Sequence, residues 1–327
     1  MSGEIKLLEK SIKLDKKDRK ILSLLMLDAR MNLAELAKHV ELSKSNISRR
    51  IKRLEESGLI NGYHAFIDVS KIGMKTSIIL INSKVTQSAK EQYIEKIKYN
   101  PNIYSIAEMM GVYDIWIGIN YKENNEKDKI IDQILDKEIM KDFEIINIKT
   151  HFPKLNFTKE MSEKFKDKEL NFTGKTINID EKDEKILSSL SNNCRVSTVD
   201  LAAKLNIPRE TIKYRIQKLI SSGVIAKFQP TINFFTLGGE FYFIRLKLIK
   251  QSKKKEIMNY LAETLRANTI LESDTTYQIM AFLQFKNHNE FRKFEETLIF
   301  KFKEDIYDYS FEVARSQHKL DWFPKAT

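Results

Sequence analysis

At 327 residues, with 42% apolar and 31% charged positions, the chain is long enough for roughly two to four globular domains, each burying its own core. Its 56 Lys and Arg against 45 Asp and Glu leave a formal net charge of +11 and a pI near 9.3, which favours polyanionic partners such as nucleic acid. Cys194 is the only cysteine, so an intrachain disulfide and a multi-cysteine metal site are excluded, and no run approaches the ~20 apolar residues of a membrane span. Met1 to Lys6 carries neither an apolar run nor a small-residue cleavage site, so no signal peptide is expected and the predicted location is the cytoplasm. Residues 1–13 form a charged extension whose Ile5, Leu8 and Ile12 stripe predicts a frayed helix.

The first unit, residues 14–74, opens with Asp15 as a helix cap before an apolar face of Ile21, Leu22, Leu24 and Leu25. A second helix starts near Asn32, with Leu33, Leu36, Ala37 and Val40 at helical spacing. After the short turn Glu41-Leu42, Ser43 caps a third helix with Ile47, Ile51 and Leu54 inward, and Gly58 ends it in a left-handed conformation. Leu59 to Asp68 reads as extended. Three short helices with so tight a second turn predict a helix-turn-helix, in which the last helix enters the major groove. Removing its core positions leaves Lys44, Ser45, Asn46, Ser48, Arg49, Lys52 and Arg53 outward, with Arg50 at the boundary. Arginine suits guanine, asparagine suits adenine, and serine and lysine suit phosphates, so this set is the candidate double-stranded DNA contact. The bland reading of the same face is a solvated basic surface on a protein-interaction bundle.

Residues 75–151 follow as a β-α-β-β-α-β run. The expected elements are strand Thr76–Val85, helix Ser88–Tyr99, strand Ile103–Met110, a turn at Gly111, strand Val112–Tyr121, helix Glu126–Ile139 and strand Phe143–His151. That order is ferredoxin-like, an antiparallel sheet with helices on one face, and its open face calls for a second sheet as cover. Residues 152–178 read as a linker, with a helical turn near Lys159–Phe165.

Residues 179–239 then repeat 14–74 without a gap, at a constant offset of 165. Identical pairs include Asp15/Asp180, Asp18/Asp183, Arg30/Arg195, Ile47/Ile212, Arg50/Arg215, Leu54/Leu219 and Gly58/Gly223. Pro208 opens the second copy's third helix, whose outward residues are Arg209, Glu210, Thr211, Lys213, Tyr214, Gln217 and Lys218. All but the acidic Glu210, which would repel phosphate, join the DNA-contact set. Residues 240–327 repeat the partner module as Phe241–Ile249, Lys253–Arg266, Ile270–Ser273, Tyr277–Phe285, His288–Phe300 and Ile306–Arg315, and end in a tail where Trp322 and Phe323 are expected to pack. The fold class is therefore α+β: two winged-helix or helix-turn-helix domains, each followed by a ferredoxin-like domain.

The run Ser43-Lys44-Ser45-Asn46-Ile47-Ser48-Arg49-Arg50-Ile51-Lys52-Arg53-Leu54-Glu55-Glu56-Ser57-Gly58, with Leu14-Asp15, Ile21-Leu22, Leu36-Ala37 and the turn Gly111-Val112-Tyr113-Asp114, resembles the Lrp/AsnC family of feast/famine regulators. That resemblance covers most of the chain, twice over. It implies a sequence-specific transcription regulator, self-association through the ferredoxin-like modules, and a small effector such as an amino acid near Gly111, Tyr113 and Asp114. Family members usually carry one such unit per chain, so the two here are expected to act as a built-in pseudo-dimer reading an asymmetric site. The family places glycine in the tight turn where Glu41 and Asn206 stand; asparagine tolerates a left-handed backbone, and glutamate there costs about 1 kcal/mol. The second module has Asp274-Thr275-Thr276-Tyr277 in place of the glycine turn, so the effector expectation is confined to the first.

No cofactor, metal or catalytic residue is predicted. The five histidines, His39, His64, His151, His288 and His318, have no ligand spacing, and neither a phosphate-binding glycine loop nor a nucleophile motif is present. Two alternatives stand beside the regulator: a haem-pathway decarboxylase of Lrp-like fold, which would bind a porphyrin, and an architectural DNA-coating protein, which would discriminate poorly between duplexes.

Overall fold

The computed structural model describes residues 12–153, 170–171, 176–264, 267–321 and 323. In chain order the helices are α1 (Lys16–Leu27), α2 (Leu33–Val40), α3 (Lys44–Glu56), α4 (Gln87–Ile97), α5 (Asn124–Ile134), α6 (Glu181–Asn192), α7 (Thr198–Leu205), α8 (Arg209–Ser221), α9 (Lys254–Glu263) and α10 (His288–Lys301). The strands are β1 (Ile60–Ile67), β2 (Lys75–Ser83), β3 (Ile103–Met110), β4 (Ile115–Tyr121), β5 (Met140–Pro153), β6 (Leu170–Asn171), β7 (Ile225–Ile232), β8 (Glu240–Leu248), β9 (Ala267–Ser273), β10 (Ile279–Phe285) and β11 (Ile306–Leu320). Residues 1–11 of the expected extension, the turn expected near 159–165, Arg266 and Trp322 lie outside the described residues. Within the expected 152–178 linker, residues 152–153 continue β5 and residues 170–171 pair with it as β6.

The chain forms two compact units that are not its two sequence halves. One holds the described parts of residues 1–74, 174–237 and 320–327, and the other those of 75–173 and 238–319. The first unit therefore contains both helix-turn-helix copies. Asp15 and Asp180 each cap a first helix through a reciprocal capping box with Asp18 and Asp183, satisfying backbone donors that a helix start leaves open. Glu41 and Asn206 both adopt the left-handed conformation in the tight turn, at φ 59° and 53°, as the missing glycine requires.

An isolated two-stranded ribbon is marginal in water, and here β1 and β7 form one antiparallel pair between the copies. The register is two-fold symmetric: His64 lies opposite Gln229, Tyr63 opposite Pro230 and Ala65 opposite Phe228. Since the offset between copies is 165, His64 faces its own counterpart, and a local two-fold axis passes between them. Matching contacts follow on either side. The Ala29 amide donates to the Phe228 carbonyl (3.0 Å) and the Cys194 amide to the Tyr63 carbonyl (2.9 Å). Arg30 stacks over the Phe228 ring at 5.1 Å and Arg195 over Tyr63 at 3.8 Å. Helix α6 packs on β1 and α1 on β7, so each copy's first helix covers the other copy's strand.

The second unit joins the two ferredoxin-like halves edge to edge. Within each half the strand order is that of the β-α-β-β-α-β fold, β5-β2-β4-β3 and β11-β8-β10-β9. β3 then pairs with β11 and β9 with β5, closing a ring of eight strands. The long last strands make this possible. β5 pairs with β2 as far as Ile148 and with β9 from Ile148 to Pro153. The sheet face expected to need a partner is thus covered by the other half of the same chain. Ile78, Leu80, Trp116 and Ile146 of the first half share one apolar cluster with Phe243 and Met280 of the second. Helices α4 and α5 cover the opposite face of the first half, and α9 and α10 that of the second, each over its own core.

One polar group breaks the symmetry of that interior. The register equates Arg245 with Leu80 and Glu312 with Ile146, since Glu312 faces Phe243 in β8 as Ile146 faces Ile78 in β2. The Arg245 guanidinium, 2% exposed, donates to Glu144 of β5 (2.7 Å) and to the fully buried Glu312 (2.9 Å). It lies over the rings of Tyr113 and Tyr277, at 4.9 and 4.6 Å. Burial pushes the Glu312 carboxyl above its ordinary range, against the opposing charge of Arg245.

Candidate nucleic-acid interface

Helix α3 begins at Ser43, whose hydroxyl accepts the Asn46 amide (3.3 Å), and runs four turns before Gly58 reverses the chain at φ 71°. Ile47, Ile51 and Leu54 bury one face against α1 and α2. The opposite face leaves Lys44, Ser45, Ser48, Arg49, Lys52 and Arg53 exposed and Asn46 half-buried. Its Arg49 Nη2 donates to Asn46 Oδ1 (3.1 Å), which holds the guanidinium along the helix. Arg49, Arg50, Lys52 and Arg53 line an open hollow of about 330 Å³ with Asp15 and Glu56.

Arg50 does not belong to the open face. Its Nη1 donates to Asp15 and Asp18, both at 2.7 Å, and ties α3 to the cap of α1. Arg53 reaches the same Asp18, whose side chain is fully buried. In the second copy Arg215 repeats the tie to Asp180 and Asp183, both at 2.8 Å. Hydrogen bonds to the Asp15 and Asp18 carboxylates raise the pKa of Arg50, while the Asp18 amide and Arg50 hold Asp15 below the ordinary carboxylate value. Arg50, expected at the boundary of the DNA-contact set, is thus engaged within the fold by two carboxylates. The signal was in the repeat, where Arg50/Arg215 and their acidic partners are identical while Arg49/Tyr214 differ.

Helix α8 buries Ile212, Ile216 and Leu219 and exposes Arg209, Lys213, Tyr214, Gln217 and Lys218, with Thr211 half-buried. Glu210, also exposed, accepts from Lys213 (2.9 Å). The local two-fold at His64 and Gln229 relates α8 to α3, so the two third helices present equivalent faces from one compact unit. Sequence reasoning did not see the clamps that set this relation, Arg30 on Phe228 and Arg195 on Tyr63, although the identical Arg30/Arg195 pair marked them.

Gly111, Tyr113 and Asp114 all have roles within the second unit. A Cβ on Gly111 would come 2.7 Å from Glu312 Cγ and 3.2 Å from the Phe311 carbonyl, so the glycine serves close approach to β11 as well as its φ of +155°. Tyr113 packs on Arg245. Asp114 accepts from the Ser83 amide (2.7 Å), the Ser83 hydroxyl (2.6 Å) and Lys90 (2.5 Å). Burial pushes its carboxyl up, but Lys90 and Ser83 together hold it below the ordinary value.

Elsewhere the titratable groups serve packing. Buried Cys194 has its thiol pushed up to about 12, which leaves it protonated and inert. Among the described residues no group of three His, Cys, Asp or Glu side chains is arranged to hold a metal, and no helix is long and apolar enough to cross a membrane. His318 and Ser316 of β11 converge on Glu108 of β3, at 2.8 and 3.1 Å, across one seam of the ring.

His64 is wholly buried between Thr231 (2.8 Å) and Gln229 (3.0 Å), and desolvation holds its pKa well below 6.5. The unfolded chain takes up that proton near pH 6.5 and the folded chain does not, so stability falls as pH drops through this value. The expected slope is up to about 1.4 kcal/mol per pH unit until the folded-state pKa is reached. Thermal unfolding of His64→Gln should show a shallower loss between pH 7 and 5 than the parent; equal slopes would put the acid sensitivity elsewhere.

Comparison with known proteins places a winged helix-turn-helix DNA-binding family model on residues 14–61 and again on 179–226. The HTH-type transcriptional regulator Zrp of Zymomonas mobilis is 37% identical over 124 residues, covering 37% of this chain and 81% of that protein. The HTH-type transcriptional regulator FL11 of Pyrococcus furiosus is 33% identical over 122 residues, 37% of this chain and 80% of its own. Across its whole length the chain is similar in fold to the siroheme decarboxylase NirDL, with a TM-score of 0.67, 15% identity and 95% of each chain covered. At that identity the likeness is one of architecture.

Proposed function

The chain belongs to the Lrp/AsnC family of HTH-type transcriptional regulators, and from that premise we propose that a single molecule is a complete pair of DNA readers for an asymmetric duplex site. It is a DNA-binding regulator, and the α+β fold carries the helix-turn-helix module twice. The observation that carries the paired reading is the β1–β7 ribbon, which sets two third helices about one local axis without a second subunit. Relatives of about half this length match one tandem unit each. On this reading Lys44, Ser45, Asn46, Ser48, Arg49, Lys52 and Arg53 meet DNA from α3, and Arg209, Thr211, Lys213, Tyr214, Gln217 and Lys218 from α8. No catalysis is part of it, and the cytoplasm is where such a regulator would act.

Two finer elements rest on the family resemblance. An amino-acid effector would meet the Gly111 backbone and the exposed edge of Tyr113, because the Asp114 carboxylate is already engaged. Further self-association would cover exposed Tyr99, Phe300 and Tyr307 on the second unit. One titration tests the set. Affinity for a selected duplex, measured from 50 to 200 mM salt, should fall linearly in log–log form with a slope of about −0.9 per phosphate contacted. Added amino acids should shift that affinity, and light scattering of the same samples should report assembly. Equal affinity for selected and random duplexes would replace specific reading by DNA coating.

A second reading, decarboxylation of a tetrapyrrole, is the alternative whose architecture the chain shares through its whole-length likeness to NirDL. It requires a shift in the main absorbance band of an added porphyrin on mixing with the protein, and an unshifted band would remove it.

A further inference from the structure

The two third helices are equivalent in position and different in chemistry. With the 165 offset, Arg49 of α3 corresponds to Tyr214 of α8, Ser45 to Glu210 and Asn46 to Thr211. Both helices keep the same buried face, Ile47, Ile51 and Leu54 against Ile212, Ile216 and Leu219, and the same arginine tie to the first helix. The substitutions are therefore confined to the face that packing does not constrain. Resting on the DNA-binding reading above, we propose that the two helices read different bases: α3 a guanine through Arg49, and α8 a cytosine through Glu210 with a thymine methyl against Tyr214.

The chemistry of each pair follows from what the groups can donate. Arg49 offers a forked donor that matches guanine O6 and N7, and Asn46 already holds it along the helix. Tyr214 cannot make that fork. It is 70% exposed, one turn beyond Glu210 on the same helix face, and its ring is an apolar surface of the kind a thymine methyl packs on. Glu210 accepts only, and in the major groove cytosine N4 is the donor that suits a carboxylate. Left out of the expected contact set because phosphate would repel it, Glu210 is exposed in the first turn of α8, the part of the helix that meets base edges. Lys213, which holds Glu210 at 2.9 Å, offsets its charge near the DNA backbone. A site with two such unlike halves is bound in one orientation only.

The test is selection from a random duplex pool with the full chain and three variants: Arg49→Tyr, Tyr214→Arg, and Glu210→Ser with Tyr214→Arg. The parent should select two dissimilar half-sites in inverted orientation. Tyr214→Arg should bring a guanine into the second half-site, and the double variant should make that half-site converge on the first. Arg49→Tyr should lose the guanine of the first half-site alone, with about a ten-fold preference erased at that position. All three residues are exposed, so unchanged thermal midpoints would confirm that the variants fold. A symmetric parental motif, or a second half-site unmoved by both α8 variants, would overturn the inference and leave DNA reading intact. If no motif emerges from the parent, the reading it rests on falls as well.

Discussion

Arg245→Leu should lower the stability of the eight-stranded unit by about 3–5 kcal/mol, because it removes the cation that both Glu144 and the buried Glu312 accept from. Leucine is the residue at the equivalent position of the first half, Leu80, so its shape is already accepted by this interior. What it cannot replace is the donor pair that Glu144 and Glu312 share. For a domain of this size the loss corresponds to roughly 10 °C in the thermal midpoint. The double variant Arg245→Leu with Glu312→Ile, which supplies the residues of the first half at both positions, should recover most of it. Glu144 stays partly exposed and can reach water when Arg245 is gone. A single variant as stable as its parent would mean that the ion cluster contributes no net stability, as well-packed apolar replacements of buried ion triads sometimes show.

Neighbouring arginines of α3 should separate cleanly. Arg49→Ala removes an exposed side chain and should leave the thermal midpoint within about 0.5 kcal/mol equivalents of the parent. Its DNA affinity should fall by about 1–3 kcal/mol, with relaxed base preference at one position. Arg50→Ala should do the reverse in kind. It strips the buried Asp18 of one partner at 2.7 Å and costs about 1–3 kcal/mol of fold stability. Any loss of DNA binding should then follow the unfolded fraction and vanish at lower temperature. Specific loss of base preference in a folded Arg50→Ala protein would return that residue to the reading face.

Local signals account for how much of the architecture was legible. Ser43, Asp15 and Asn32 each cap the helix expected of them, and the third helix ends where Gly58 stands. Strand Ile103–Met110 has the bounds its apolar run suggested. Helix α5 stops at Ile134, five residues short of expectation, because Leu135, Ile139 and Met140 turn inward onto the first half's core instead of continuing the helix. The last strand, expected to end at Arg315, runs on to Leu320. Ser316 to Lys319 has no apolar alternation to mark it; its order comes from Glu108 and from the Asn100 carbonyl, which accepts from Lys319 (2.8 Å).

Read alone, the chain determined what depends on neighbours within a few turns. The caps, the helical spacing of apolar residues, the duplication at offset 165 and the basic outward face of residues 44–53 all follow from short-range order, which a linear reading captures. Only the tertiary structure decided which strands meet. A strand's hydrogen-bonding edge carries no label for its partner, and β3, β5, β9 and β11 find theirs in the opposite half of the chain. The same holds for side chains that long-range contacts reassign. Arg49 and Arg50 are adjacent and alike, yet one stays at the surface and the other is drawn to Asp15 and Asp18 more than thirty residues away. Gly111 reads as a turn residue, and the approach of Glu312 is what forbids it a side chain.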